Sequence, residues 1–184
     1  MAKTIKGRKF VATAATAALV ASAIVPVASA ASTEFGDAGK ISTHAKDAVE
    51  YLVGEGIING FSEDNTFRPQ GTITRAEAAS IFTKALKLDT TGSEEFSDVA
   101  SADWFYSAVV GVFNAKIVNG MGDGKFAPEG KLTRAQAATM IVKAYGLTGA
   151  ADLSAYTDAK GLDAWASEAL ATAVKNGVMN GTSA

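Results

Sequence analysis

Apolar residues along the chain fall into one helical spacing that keeps returning. Ala45, Ala48, Val49, Leu52 and Val53 stand at i, i+3, i+4, i+7 and i+8, the spacing of a buried helical stripe. Ala108, Val109, Val112 and Phe113 repeat the pattern, and so do Ala169, Leu170, Ala173 and Val174. Two more stripes lie between these three. They are Ala78, Ile81, Phe82, Ala85 and Leu86, then Ala137, Met140, Ile141, Ala144 and Tyr145. The pattern predicts an all-α chain of tandem helix-loop-helix repeats.

Polar punctuation marks the same period. Units open at Phe35-Gly36-Asp37, Phe96-Ser97-Asp98-Val99 and Tyr156-Thr157-Asp158. Each first helix runs into a shared phrase ending in Asn59-Gly60, Asn119-Gly120 or Asn180-Gly181, spaced 60 and then 61 residues apart. Gly is expected there as the left-handed residue that closes a helix. Loops Phe61 to Ile73 and Met121 to Leu132 carry a Phe-x-Pro turn into Thr-Arg-Ala. Thr74 with Glu77, and Thr133 with Gln136, read as capping boxes for the second helices. Segments rich in Thr, Gly, Ser and Ala divide the chain into 31–90, 91–152 and 153–184. Helix pairs this short must stack on neighbours to bury their stripes. The third unit stops at Ala184 without its Phe-x-Pro loop or second helix. Its helix is therefore expected to bury less apolar surface, with protease sensitivity after about Leu153.

Residues 1–30 differ in kind. Lys3, Lys6, Arg8 and Lys9 precede an uncharged run from Phe10 to Val27, and Ala28-Ser29-Ala30 forms an A-x-A cleavage site, so a removed secretory signal is expected. No span should then remain in a membrane. The leader holds 4 of the 17 basic residues and no acid, which leaves 13 basic against 19 acidic, a net of −6. An acidic chain without a basic cluster is a poor partner for nucleic acid. With 48% hydrophobic and 20% charged residues the remainder has the composition of a folded chain. The absence of Cys and the single His44 exclude disulfides, Cys-ligated zinc, a Cys nucleophile and multi-His metal centres.

The unusual residues are Arg75 and Arg134, each in the first turn of a second helix. A cation there opposes the helix dipole. Beside unpaired first-turn amides it would bind a carboxylate or phosphate. The plainer alternative packs each Arg stem on Phe67 or Phe126, with its head on loop carbonyls or on Asp64 or Asp123. Trp104 and Trp165 likewise have two readings, stacking on a sugar face or packing in the core or between repeats, with packing the commoner role. Asp37, Asp98 and Asp158 read as turn and cap residues. Glu63-Asp64-Asn65 and Asp123-Gly124 are too short for an EF-hand loop and lack its spaced carboxylates, so no metal or other cofactor is expected. No paired acid and base spacing supports catalysis, and no catalytic residue is assigned.

Together the Phe-x-Asp-Val opening, the Ile-Val-Asn-Gly phrase, the Phe-x-Pro loop and Thr-Arg-Ala-Glu/Gln resemble S-layer homology domains over about 35–184. The resemblance implies a pseudo-threefold bundle, with the first helices at its centre and the loops and second helices as prongs. It implies a secreted, non-catalytic cell-wall anchor that binds pyruvylated secondary cell-wall polysaccharide in grooves between repeats. Arg75 and Arg134 would contact the pyruvyl carboxylate. Glu77, Gln136, Trp104, Trp165, Asn59, Gly60, Asn119 and Gly120 would complete the grooves. His44 replaces the aromatic in unit one. Other S-layer subunits would be met through regions beyond residue 184. Two further expectations stay open: the anchor of a wall enzyme, and a dockerin-like protein-binding adaptor.

Overall fold

A computed structural model describes residues 35–93 and 96–181 of the chain; the expected signal, 1–30, lies outside the described residues. Among the described residues five helices form: α1 (Thr43–Gly54), α2 (Arg75–Leu86), α3 (Tyr106–Asn114), α4 (Arg134–Tyr145) and α5 (Ala164–Lys175). Short 3-10 turns at Ala38–Lys40 and Thr157–Ala159 precede α1 and α5. Among the described residues no strand forms, and the chain is all-α.

Both capping boxes are present. The Glu77 amide donates to Thr74 Oγ1 at 3.2 Å and the Thr74 amide to Glu77 Oε2 at 2.7 Å. In α4 the Gln136 amide donates to Thr133 Oγ1 at 3.2 Å and the Thr133 amide to Gln136 Oε1 at 3.1 Å. Ser42 caps α1 in position only, since its hydroxyl makes no cap bond.

The first helices end earlier than their Asn-Gly phrases. The left-handed residues are Gly56 (φ 66°), Lys116 (φ 59°) and Gly177 (φ 69°). At each, the following amide reaches back five residues: Ile57 to Leu52, Ile117 to Val112 and Val178 to Ala173, all at 2.9 Å. These are Schellman closures, with an apolar residue folded back on the helix. Asn-Gly sits three residues beyond the closure and serves another purpose.

That purpose is to seat the aromatic that opens each unit. A Cβ on Gly60 would lie 2.3 Å from Phe35 Cε1, one on Gly120 2.7 Å from Phe96 Cε1, and one on Gly181 2.3 Å from Tyr156 Cε1. The opening Phe also packs on the loop Phe, with ring centroids 5.5 Å apart for Phe35–Phe67 and 5.7 Å for Phe96–Phe126. Asp37 and Asp98 act at long range, not in a local turn. Asp37 accepts from the Phe67 and Arg68 amides at 2.7 and 2.8 Å, and Asp98 from Phe126 and Ala127 at 2.8 Å each. Arg68 and Ala127 both take the left-handed conformation, with φ 57°. This turns two successive amides towards one carboxylate.

Close helix packing crosses the repeat boundaries: α2 pairs with α3, and α4 with α5. No two first helices pair as closely with each other. Ala76, Ala78 and Ala79 of α2 meet Val109 and Val112 of α3 in a core that includes Phe126 and Met140. Gly111 lets the helices approach, since a Cβ there would lie 3.0 Å from Thr83 Oγ1, and Thr83 Oγ1 donates to Ala108 O at 3.0 Å. Ala138 of α4 packs with Ala169 and Ala173 of α5.

Burial departs from the expected stripes where a helix lacks a neighbour. From Ala108 to Val112, α3 is buried all round, as a helix enclosed by the core must be. The helix of the third unit is also well covered, with Ala166, Ala169, Ala171, Thr172 and Ala173 buried against the expectation for it. The sparsely buried helix is α1, where Val49 alone is buried and Ala48 is exposed. Tyr145, at the end of α4, is 59% exposed.

Lys116→Gly removes a side chain from a left-handed position filled by Gly in the other units, and should raise stability by about 0.5–1 kcal/mol in chemical denaturation. Burial opposes ionisation of Asp98, but the Phe126 and Ala127 amides outweigh it and hold the carboxyl below the usual carboxylate range. For Asp37, the Phe67 amide does most to lower the carboxyl. A depressed carboxyl stabilises fully above its unfolded pKa, and that contribution is lost as pH falls through its folded value. Melting temperature should therefore drop below about pH 4, and Asp98→Ala should cost about 2 kcal/mol at neutral pH while flattening that acid limb.

Candidate functional site

A cleft of about 370 Å³ opens where three units meet. The turn after α3 supplies Ile117, Val118, Asn119, Gly120 and Met121. One face of α4 supplies Gln136, Thr139, Met140 and Lys143, spaced i, i+3, i+4 and i+7, so that all four reach the same side. Trp165 enters from the head of α5 and Arg75 from the head of α2. The lining therefore has two cations, three uncharged polar side chains, an aromatic and no carboxylate.

Arg75 is the enclosed cation, with only 6% of its surface exposed. Its Nε donates to Phe126 O at 2.7 Å and its guanidinium lies 4.8 Å from the Phe126 ring centroid. Burial lowers its pKa and the charge of Asp98 resists that. An Arg starts so high that it stays ionised. Among the described residues its terminal nitrogens form no hydrogen bond or ion pair. Nε and the stem of this Arg are thus structural, and the residue also lines the cleft.

The anion argument for the helix start changes. The Arg75 and Ala76 amides donate to Gly130 O at 2.9 Å and Pro128 O at 3.0 Å. With the Glu77 amide capped by Thr74, the first turn of α2 has no free donor from these three residues. These helix amides are therefore not available to an anion.

Five of the ten expected site residues line this cleft: Arg75, Asn119, Gly120, Gln136 and Trp165. The structure does not bring the others to it. Asn59, Gly60, Glu77 and Trp104 occupy the corresponding positions one unit earlier, and Arg134 corresponds to Arg75 one unit later. Arg134 is exposed and donates to Asn180 O at 2.5 Å. Like Arg75, it reaches a backbone carbonyl of the next unit. Trp104 is 66% exposed and meets Phe105 edge to face, and Trp165 is 49% exposed, so neither is a core residue. Thr139 and Lys143 were missed. Their signal was present, because Glu77, Ser80 and Lys84 recur as Gln136, Thr139 and Lys143 at equal spacing.

Among the described residues no group of three His, Asp or Glu side chains could hold a metal ion, and no helix is long and apolar enough to cross a membrane.

The fold is that of a tandem helix-loop-helix repeat whose units interlock through their loops. The model of the S-layer homology domain matches residues 34–79, 95–138 and 155–184, and the chain belongs to that family. It is 50% identical over its whole length to the surface-layer 125 kDa protein of Lysinibacillus sphaericus, covering 15% of that protein. It is 38% identical over 99% of its length to an S-layer protein of Bacillus licheniformis, covering 21% of it. An exoglucanase XynX of Acetivibrio thermocellus is 31% identical over 74% of the chain, which covers 13% of that enzyme. The chain thus spans about a fifth or less of the length of these relatives.

Gly120 joins cleft to fold. With φ 83° and Phe96 and Lys125 O within 2.8 Å of any Cβ, Gly120→Ala should destabilise the protein by at least about 1–2 kcal/mol. Gly54→Ala, in open space at the end of α1, should be neutral or stabilising; comparing the two melting temperatures checks the assignment.

Proposed function

We propose that this chain is a secreted, non-catalytic anchor. It holds a surface-layer protein on the cell wall by gripping an anionic, pyruvylated secondary cell-wall polysaccharide in the α4/α5 cleft. The observation that carries the reading is the enclosed Arg75, whose terminal nitrogens lack partners among the described residues in a cleft that adds Lys143 and no carboxylate. A buried guanidinium whose terminal nitrogens lack hydrogen-bond partners is costly, and a ligand carboxylate would offset that cost through paired hydrogen bonds. Trp165 offers a half-exposed ring to a sugar face, while Asn119, Gln136 and Thr139 offer donors and acceptors to hydroxyls. Similarity to surface-layer proteins runs over 99% or more of this chain and to the exoglucanase over 74% of it, which favours that setting over the anchor of a wall hydrolase.

Co-sedimentation with purified sacculi, before and after the secondary polysaccharide is stripped, tests the reading. Binding should vanish on stripping. Lys143→Met, an exposed change that should leave the melt untouched, should weaken binding about tenfold, and Arg75→Met should weaken it further. Arg134→Ala, outside the cleft, should act less than either. Undiminished binding to stripped walls would sink the proposal.

A further inference from the structure

Packing fixes Gly120, because a Cβ there would lie 2.7 Å from Phe96 Cε1. Nothing comparable fixes Asn119, which is exposed and whose side chain makes no hydrogen bond among the described residues. Asn is a chemically labile side chain, and a following Gly leaves the next backbone nitrogen unshielded by any Cβ. Whether that nitrogen can attack the Asn amide in a folded chain depends on what else holds the two groups.

The chain contains its own comparison. Asn176-Gly177 is the same dipeptide, but both reacting groups are held. Asn176 Nδ2 donates to Thr172 O at 2.8 Å and to Thr148 O at 3.0 Å, and the Gly177 amide donates to Val174 O at 3.0 Å. Among the described residues the Gly120 amide makes no hydrogen bond, and neither does the Gly60 amide after exposed Asn59. Of these dipeptides, Asn119-Gly120 alone lines the α4/α5 cleft.

We propose that Asn119-Gly120 is a self-modifying site that puts a carboxylate into this cleft. The Gly120 nitrogen bonds to Asn119 Cγ as the Cγ–Nδ2 bond breaks, and ammonia leaves with the Gly120 amide proton. Water then opens the cyclic imide at either carbonyl, giving Asp or isoaspartate at position 119. No oxidant or reductant is consumed. Either product is an anion in a cleft lined by Arg75 and Lys143 and by no carboxylate. It competes with a bound anion for those cations. On the anion reading above, from which this consequence follows, the chain loses its grip on the wall polymer as it ages.

The folded full chain is held in mildly alkaline buffer and followed by peptide mapping, beside an Asn119→Gln chain whose extra methylene disfavours ring closure. Position 119 should turn from amide to acid with isoaspartate among the products, while Asn176 converts only after unfolding. Conversion should weaken binding to unstripped sacculi about tenfold, and Asn119→Asp should show the same loss at the native melting temperature. The Gln chain should lose none of its own starting affinity on ageing. A folded chain in which Asn119 converts no faster than Asn176 overturns the site. Full binding by Asn119→Asp overturns the consequence, and leaves standing an anion reading that Lys143→Met and stripped sacculi test separately.

Discussion

The structure depends on a seam between loops. A two-helix unit of this length cannot bury both of its stripes, so its interior must be made with the next unit. The seam does this at the backbone. Leu132 N–H donates to Ile73 O, while Arg75 and Ala76 donate to Gly130 O and Pro128 O. The start of one unit's second helix is thus completed by the loop of its successor. Once that loop is fixed, Phe126 lies under the Arg75 guanidinium, and α3 is carried into the groove beside α2.

The repeated motif becomes a set of dependent parts. The opening Phe needs a Gly at Asn-Gly because its ring occupies the space of a Cβ. The Asp two residues later needs a left-handed residue in Phe-x-Pro, because only then do two successive amides point at one carboxylate. The loop so held supplies the carbonyls that receive the preceding unit's Arg and first-turn amides. Substituting any one of these residues loosens the others, a coupling expected where groups share partners.

Arg75 is buried for a structural reason, yet among the described residues only its Nε is hydrogen-bonded, and the residue lines a cleft whose walls come from three units. A binding site at such a junction would tie recognition to assembly. A ligand that paired with Arg75 would also stabilise the seam, because anything bound only by the folded state adds to its stability.

By itself the sequence determined the helical class, the repeat period, the capping boxes and the identity of half the cleft. Those depend on local spacing, and spacing is what a repeat displays most openly. Tertiary structure decided which positions of that period meet. Asn-Gly read as a helix end because Gly commonly closes helices, but the closures fall at Gly56, Lys116 and Gly177, and the aromatic packed on each Asn-Gly lies about 25 residues away in sequence. The first-turn amides read as free because their acceptors, Pro128 and Gly130, are more than 50 residues away. Periodicity gave α1 a stripe as good as that of α3, yet α3 is enclosed and α1 is not. Burial depends on the neighbours a helix acquires, and no single helix's sequence carries that information.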